Sequence, residues 1–239
     1  MIKKSEGIVL RSLKHQDTNL ITRIYTESFG MQDFIIKGYG SAASRRKYSY
    51  FQPLSIIEIV YWEKPGVEIH KIQESRTVVF LKDAQTHPIK VTLGLTITEI
   101  FYDCVKGHEG DSALYALLKS VIVQLDEAQD KYIHYFLYFL VHFTQVLGFA
   151  PDIMIESWDK PVFFDLPNGR MIHQAGGNTR MCALIVTFLQ SSLENCTRIS
   201  FSNEEKKVFI STLFQYYYFH IQGFRHPKTI QVFAEIFEG

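Results

Sequence analysis

Three bursts of alternating apolar and polar residues open the chain. In Gly7–Lys14, Ile8 and Leu10 fall on one face and Val9 and Arg11 on the other. Leu20–Thr26 sets Leu20, Thr22, Ile24 and Thr26 against Ile21, Arg23 and Tyr25, and a third burst runs from Met31 to Tyr39. A period of two is that of a strand with one buried face. Turn chemistry separates the bursts. Asp17-Thr18-Asn19 can hydrogen-bond its own backbone, and Gly30 after Ser28-Phe29 can take positive φ. The Ile- and Val-rich run Pro53–Tyr61 predicts a fourth strand, and Val67–Ile72 a fifth returning from the turn signal Lys64-Pro65-Gly66.

Five short strands with glycine at the bends predict a small closed barrel of the oligonucleotide/oligosaccharide-binding (OB) type. A Greek-key sandwich or an SH3-like barrel would carry much the same alternation. From about Leu81 the period lengthens. Ile89–Val105 and Asp111–Gln124 have helical spacing, the second behind an Asp-Ser start signal. Lys131–Leu147 is apolar nearly all round and predicts the buried helix of a bundle, ended by Gly148. Pro161–His173 breaks the pattern as two short strands about a Pro-Asn-Gly turn. Helical spacing resumes in Cys182–Leu193 and Glu204–Gln222 and closes in Lys228–Phe237. The prediction is an α+β chain of two domains. Residues 1–80 form the barrel; residues 81–239 form a mainly helical domain with a hairpin excursion near 158–175.

Composition narrows the class. Apolar residues make up 46% and charged residues 21% of the 239, a globular balance. Net charge is zero, but residues 1–80 hold twelve Lys/Arg against eight Asp/Glu (+4), and the remainder thirteen against seventeen (−4). Such asymmetry points to an anionic partner for the basic part. Cys104, Cys182 and Cys196 show no pair spacing, so a reducing, cytoplasmic setting is expected. No apolar run reaches the roughly 18 residues of a membrane span, and no membrane partner is expected.

No GxSxG, HExxH, P-loop or dinucleotide-binding glycine pattern occurs, and no constellation proposes an enzyme. Between Asp152 and Cys182, the residues Asp159, Asp165, His173 and Cys182 could in principle clamp a zinc ion, but structural zinc needs two close-set pairs of Cys or His. His134 and His142 read as core residues. Cations interleaved with rings carry more. Lys14, Arg23, Lys37 and Lys71 come from neighbouring strands, and Arg45, Arg46 and Lys47 from the loop after the third, with Tyr25, Tyr39, Tyr48, Tyr50 and Phe51 between them. Cations that track phosphates, with rings that stack on bases, are the means of holding single-stranded nucleic acid. An ordinary barrel with a solvated basic loop has the same composition. So does a protein–protein adaptor whose barrel is a docking surface without direct DNA binding.

The order of these features resembles a known family. Gly7-Ile8-Val9-Leu10, Asp17-Thr18-Asn19-Leu20, Tyr25-Thr26, Gly30, Lys37-Gly38, a basic loop and Gln52-Pro53, followed by Phe139–Ile153 and Gly176-Gly177, are similar to the RecO family of bacterial DNA repair proteins. The resemblance spans nearly the whole chain. It implies an OB barrel followed by a helical domain, and a recombination mediator that binds single- and double-stranded DNA and anneals strands. The implied partners are RecR, the single-strand-binding protein SSB and, indirectly, RecA, with the SSB tail on the helical domain beside the helix from Lys131. Carried over by position, Lys14, Arg23, Lys37, Tyr39, Arg45, Arg46, Lys47 and Lys71 are the DNA-contact candidates. Several family members carry a four-cysteine zinc module where this chain keeps only Cys182. No cofactor is therefore expected, and Trp158, Phe163 and Phe164 are expected to hold the hairpin instead.

Overall fold

The computed structural model describes residues 1–15, 18–38, 49–64, 66–107 and 109–229. The expected basic loop, the Asp17 end of the first turn and nearly all of the expected closing helix Lys228–Phe237 lie outside them. The described chain forms two compact units, Met1–Glu127 with the tail from Pro227, and Ala128–His226.

In the first unit, strands β1 (Ile2–His15), β2 (Asn19–Thr26), β3 (Gly30–Lys37), β4 (Ile56–Trp62) and β5 (Ile69–Val79) close a barrel in the order β1-β2-β3-β5-β4. The OB expectation holds. All neighbours are antiparallel except β3 and β5, which run parallel for three register pairs, Asp33↔Ile69, Phe34↔His70 and Ile35↔Lys71. The inward set of the alternation (Val9, Leu20, Ile24, Phe34, Ile36, Ile57, Ile59, Tyr61) fills the barrel, and Phe51 joins it from the 3-10 turn Ser49–Phe51. β1 begins five residues before the expected Gly7. Its polar start pairs with β4 from Ile2↔Trp62 to Ile8↔Ile56, and the outward charges there end in ion pairs. β5 likewise runs beyond Ile72 to Val79.

The barrel shares its unit with α1 (Pro88–Val105), which has proline in its first turn, and α2 (Ser112–Glu127). Asp111 caps α2, its carboxylate accepting from the N–H of Ala113 at 2.7 Å and Leu114 at 3.1 Å. The Asp126 carboxylate accepts from the N–H groups of Lys82, Asp83 and Ala84 at 2.9, 2.8 and 2.6 Å, tying the segment after the barrel to the end of α2.

The second unit is built around α3 (Tyr132–Val146), which buries ten of its fifteen residues. β6 (Val162–Asp165) and β7 (Arg170–His173) form the hairpin, followed by α4 (Thr179–Gln190) and α5 (Asn203–His220). Ser202 and Glu205 form a reciprocal capping box at the start of α5. One expectation about the hairpin needs correcting. Phe164 is buried against Tyr216, with ring centroids 4.9 Å apart, and Val162 and Met171 are buried with it, whereas Phe163 and Trp158 are 38% and 41% exposed. Strand alternation is the reason, since it turns Phe163 away from the face that Val162 and Phe164 share. Among the described residues no helix is long and apolar enough to cross a membrane.

Candidate nucleic-acid interface

The barrel's outer surface divides into two faces. On one, the register partners Ile8, Tyr25 and Ile56 are fully buried. Phe101 of α1 meets the Tyr25 ring edge-on at 4.8 Å, and the Tyr25 hydroxyl accepts from the Asp111 N–H at 3.2 Å. Glu6 accepts from Lys119 at 2.7 Å and Tyr115 at 3.1 Å of α2, and Lys119 holds its carboxyl below the usual range. The other face is read across β1, β2, β3, β5 and β4 as the row Leu13, Ile21, Ile35, Lys71, Trp62. Cross-strand partners lie side by side and point the same way. Lys37, two residues beyond Ile35, shares this face. Leu13, Lys37, Lys71 and Trp62 are exposed.

The barrel's cations sort by what they touch. Lys3 pairs with Glu63 at 2.6 Å. Arg76 at 2.7 Å and Lys4 at 3.2 Å share Glu58, and the Arg76 hydrogen bonds, helped by Lys4, hold that carboxyl down at about 2. Arg23 is committed as well. Its Nε and Nη2 each donate to one oxygen of Asp33 at 2.6 Å, and its Nη1 donates to the Tyr102 hydroxyl at 2.6 Å. The Asp33 hydrogen bonds raise the guanidinium above its ordinary range. Arg23 thus pins β2 to β3 and to α1, with three of its five N–H donors engaged within the fold. Exposed and without an ion pair among the described residues are Arg11, Lys14, Lys37, Lys64 and Lys71. Tyr39, Arg45, Arg46 and Lys47 lie outside the described residues.

Lys37 and Lys71 come together because β3 and β5 pair so briefly. Past Ile35 and Lys71 the strands part, and the 3-10 turn enters the opening. Phe51 drops into the core, while Tyr50 stays half-buried, its hydroxyl accepting from Ser75 Oγ at 3.3 Å. The result is a groove of about 170 Å³ lined by Lys37, Lys71, Tyr50, Ile35 and Ile72, with no Asp or Glu among the described residues that line it. Two ammonium groups and a ring can neutralise phosphates and offer a surface to a base. Lys14 is not part of this cluster. Its register partner is the buried Leu20, so it extends from the opposite side of β1 to Leu13. Arg11 and Lys64 are exposed cations absent from the expected set. Arg11 was visible in the alternation of β1, and Lys64 in its position just before the β4–β5 turn.

The polar residues of the second unit have local partners. Both ring nitrogens of His134 face carbonyls, Lys131 O at 3.1 Å and Ile199 O at 2.9 Å, and His142 Nε2 meets Phe188 O at 3.0 Å. Asp159 accepts from Ser157, Asp165 pairs with Arg170 at 3.7 Å, and Cys182 Sγ lies 3.6 Å from Val162 O. Among the described residues no three His, Cys, Asp or Glu side chains converge as metal ligands.

Comparison with known proteins covers the same ground. Residues 1–80 match the family model for the recombination protein O N terminal, and residues 85–229 that for its C terminal. The chain is 30% identical over 244 residues to the DNA repair protein RecO of Christiangramia forsetii, across 99% of this chain and 100% of the relative. It is 27% identical to that of Flavobacterium psychrophilum over 98% of both chains, and 26% identical to that of Azobacteroides pseudotrichonymphae over 100% of both.

Proposed function

The chain belongs to the RecO family of DNA repair proteins, and from that premise we propose that its barrel binds single- and double-stranded DNA on the Lys37–Lys71 face. One observation carries the reading. Among the described residues the cations of the barrel divide into a set held by its own carboxylates and a set left exposed, and Lys37 and Lys71 of the second set share a groove with Tyr50 that no described carboxylate lines. A protein that used its basic residues only for folding would have no reason to keep that groove free of acids.

In this proposal the face takes phosphates from two strands and holds them close enough to pair, so that complementary strands anneal. Arg45, Arg46, Lys47 and Tyr39 are further DNA-contact candidates, carried over from the family resemblance. Lys14 is a separate contact, from the end of β1 and outside this cluster. The helical region engages SSB, RecR is the partner in the pathway, and RecA is loaded onto SSB-coated single strands as the outcome. The protein works in the cytoplasm, and the mechanism asks for binding and positioning without a catalytic step.

The test is fluorescence anisotropy with a short labelled single strand across a salt series. It compares wild type with Lys37→Ala/Lys71→Ala and with Arg45→Ala/Arg46→Ala/Lys47→Ala. Counterion release predicts a steep wild-type slope that flattens in both variants. No binding at low salt would sink the proposal and leave the barrel as a docking surface for proteins.

A further inference from the structure

Beside the Lys37–Lys71 groove, and sharing Lys71 and Gln73 with it, a cavity of about 380 Å³ opens next to the β4–β5 turn. That volume is within the range of small-molecule sites. Its walls are Trp62, Val67 and Ile69, which are 45%, 43% and 40% exposed, so three large apolar side chains stand together in solvent. Contiguous exposed apolar surface of this kind marks a binding site more often than chance. Lys71 is the register partner of Trp62, so the two side chains leave neighbouring strands on the same face, and Lys64 adds a second cation to the lining. Among the described residues no Asp or Glu lines the cavity.

A second, independent feature concerns His70, which also lines the cavity. It is only 6% exposed, yet its Nδ1 has no hydrogen-bond partner among the described residues. The fully buried Tyr61, whose ring centroid lies 5.4 Å from that of His70, has a hydroxyl in the same condition. Buried polar atoms nearly always have a partner, and one left without is costly. His70, as the register partner of the core residue Phe34, meets the cavity from the barrel's inner side, and the outward lining asks for two things at once: a flat apolar body against Trp62 and anions for Lys64 and Lys71. A nucleic-acid strand supplies ring and phosphate at every repeat. Duplex DNA does not, because its bases are already stacked and paired.

We propose that this cavity is a single-strand-specific subsite of the interface, taking one unstacked base against Trp62 with its flanking phosphates on Lys64 and Lys71. The proposal rests on the DNA-binding reading of the barrel. It adds a means of telling single strands from duplex, which the phosphate contacts of Lys37 and Lys71 do not provide.

The chain has two tryptophans, Trp62 and the exposed Trp158, so Trp158→Phe leaves Trp62 as the sole reporter. An oligothymidine and a blunt duplex would be titrated into this variant, reading tryptophan emission together with anisotropy of the labelled DNA. The single strand is expected to quench Trp62 and the duplex to bind without quenching it. Trp62→Ala should weaken single-strand binding about 5- to 150-fold, the range carried by one base stack, and leave duplex affinity within about twofold. Trp62→Phe, which keeps a ring, should restore much of the difference and guards against a merely misfolded alanine variant. Single-strand binding with unchanged Trp62 emission, or equal affinity in Trp62→Ala, would overturn the subsite while leaving the barrel a DNA-binding module. Failure of wild type to bind either DNA would overturn both.

Discussion

Arg23 is the residue at which the expected and observed roles of the barrel's cations diverge, so its replacement is the sharpest test of the sorting. The Arg23→Ala change removes a bidentate pair with Asp33, a hydrogen bond to the Tyr102 hydroxyl and a guanidinium 4.9 Å from the Tyr102 ring centre. The side chains of Arg23 and Asp33 are 33% and 24% exposed, so the ion pair is discounted for screening to about 0.5–1 kcal/mol. The hydrogen bond from a charged donor adds roughly 1.5 kcal/mol, and the contact with the ring about 0.5 kcal/mol. The sum is about 2.5–3 kcal/mol, or roughly 8–12 °C in the melting of a unit this size.

Two assays run on the same variants decide the matter: thermal melting, and the salt slope of single-strand binding. Arg23→Ala should lower the melting midpoint and leave the slope at its wild-type value. Lys37→Ala/Lys71→Ala should do the reverse, keeping stability within about 0.5 kcal/mol, as surface changes do, and reducing the slope by about 1.4, at about 0.7 for each single-strand phosphate contact. Arg23→Lys keeps the charge but cannot span both Asp33 oxygens and Tyr102, so it should recover little of the lost stability. If Arg23→Ala melts like wild type and flattens the slope, Arg23 faces DNA and the sorting by partner is wrong.

Two further predictions concern buried groups. Asp126 is 5% exposed; burial raises its carboxyl, but the three N–H donors and Lys90 outweigh this, and the net shift is downward. Asp126→Ala leaves those donors without their acceptor and should cost about 3 kcal/mol in denaturant unfolding; a loss below about 1 kcal/mol would show that water replaces the carboxylate. Because the folded value is depressed, the contribution of Asp126 is full above the ordinary aspartate range near about 3.9 and is lost as pH falls through the lowered value. Burial likewise depresses His134 and His142, against the carbonyls that face them. For a base the unfolded chain then binds more protons, so the second unit should lose stability as pH drops below about 6.5, and level off below the folded values. Unfolding midpoints measured between pH 7.5 and 5.5 should fall, and His134→Gln/His142→Gln should flatten the trend; a midpoint that rises on acidification would contradict the assignment.

Much of the fold was legible because its elements are local. The alternation of β2 and β3, the start signal at Asp111 and the apolar run of α3 each declare themselves within a few residues. What escaped depends on contacts between distant segments. Lys3 to Glu6 looks too polar for a strand until Glu63, Glu58 and Lys119 are seen to partner it. The choice between an OB barrel and its competitors turns on β1 meeting β4 and β3 meeting β5 in parallel, and neither pairing leaves a mark in the alternation itself.

The site divides along the same line, and Arg23 shows where it falls. Once Ser28-Phe29-Gly30 is read as the turn, counting outward along the hairpin pairs residue 26 with 30, 23 with 33 and 19 with 37. That count alone sets Arg23 opposite an aspartate and Lys37 opposite an asparagine, so the separation of a structural cation from an available one was within reach of local reasoning. Lys71 was not. Its place beside Ile35 depends on a parallel register closed across more than thirty intervening residues, and nothing in Lys71's own neighbourhood specifies it. Hairpin register therefore tells which cations the strands consume, and only barrel closure tells which of the remainder meet. A candidate set drawn from strand charges alone will include residues like Arg23, which Asp33 and Tyr102 hold within the fold, whereas Lys64 comes to Trp62 and Lys71 through the β4–β5 hairpin, in which Trp62 and Lys71 are partners.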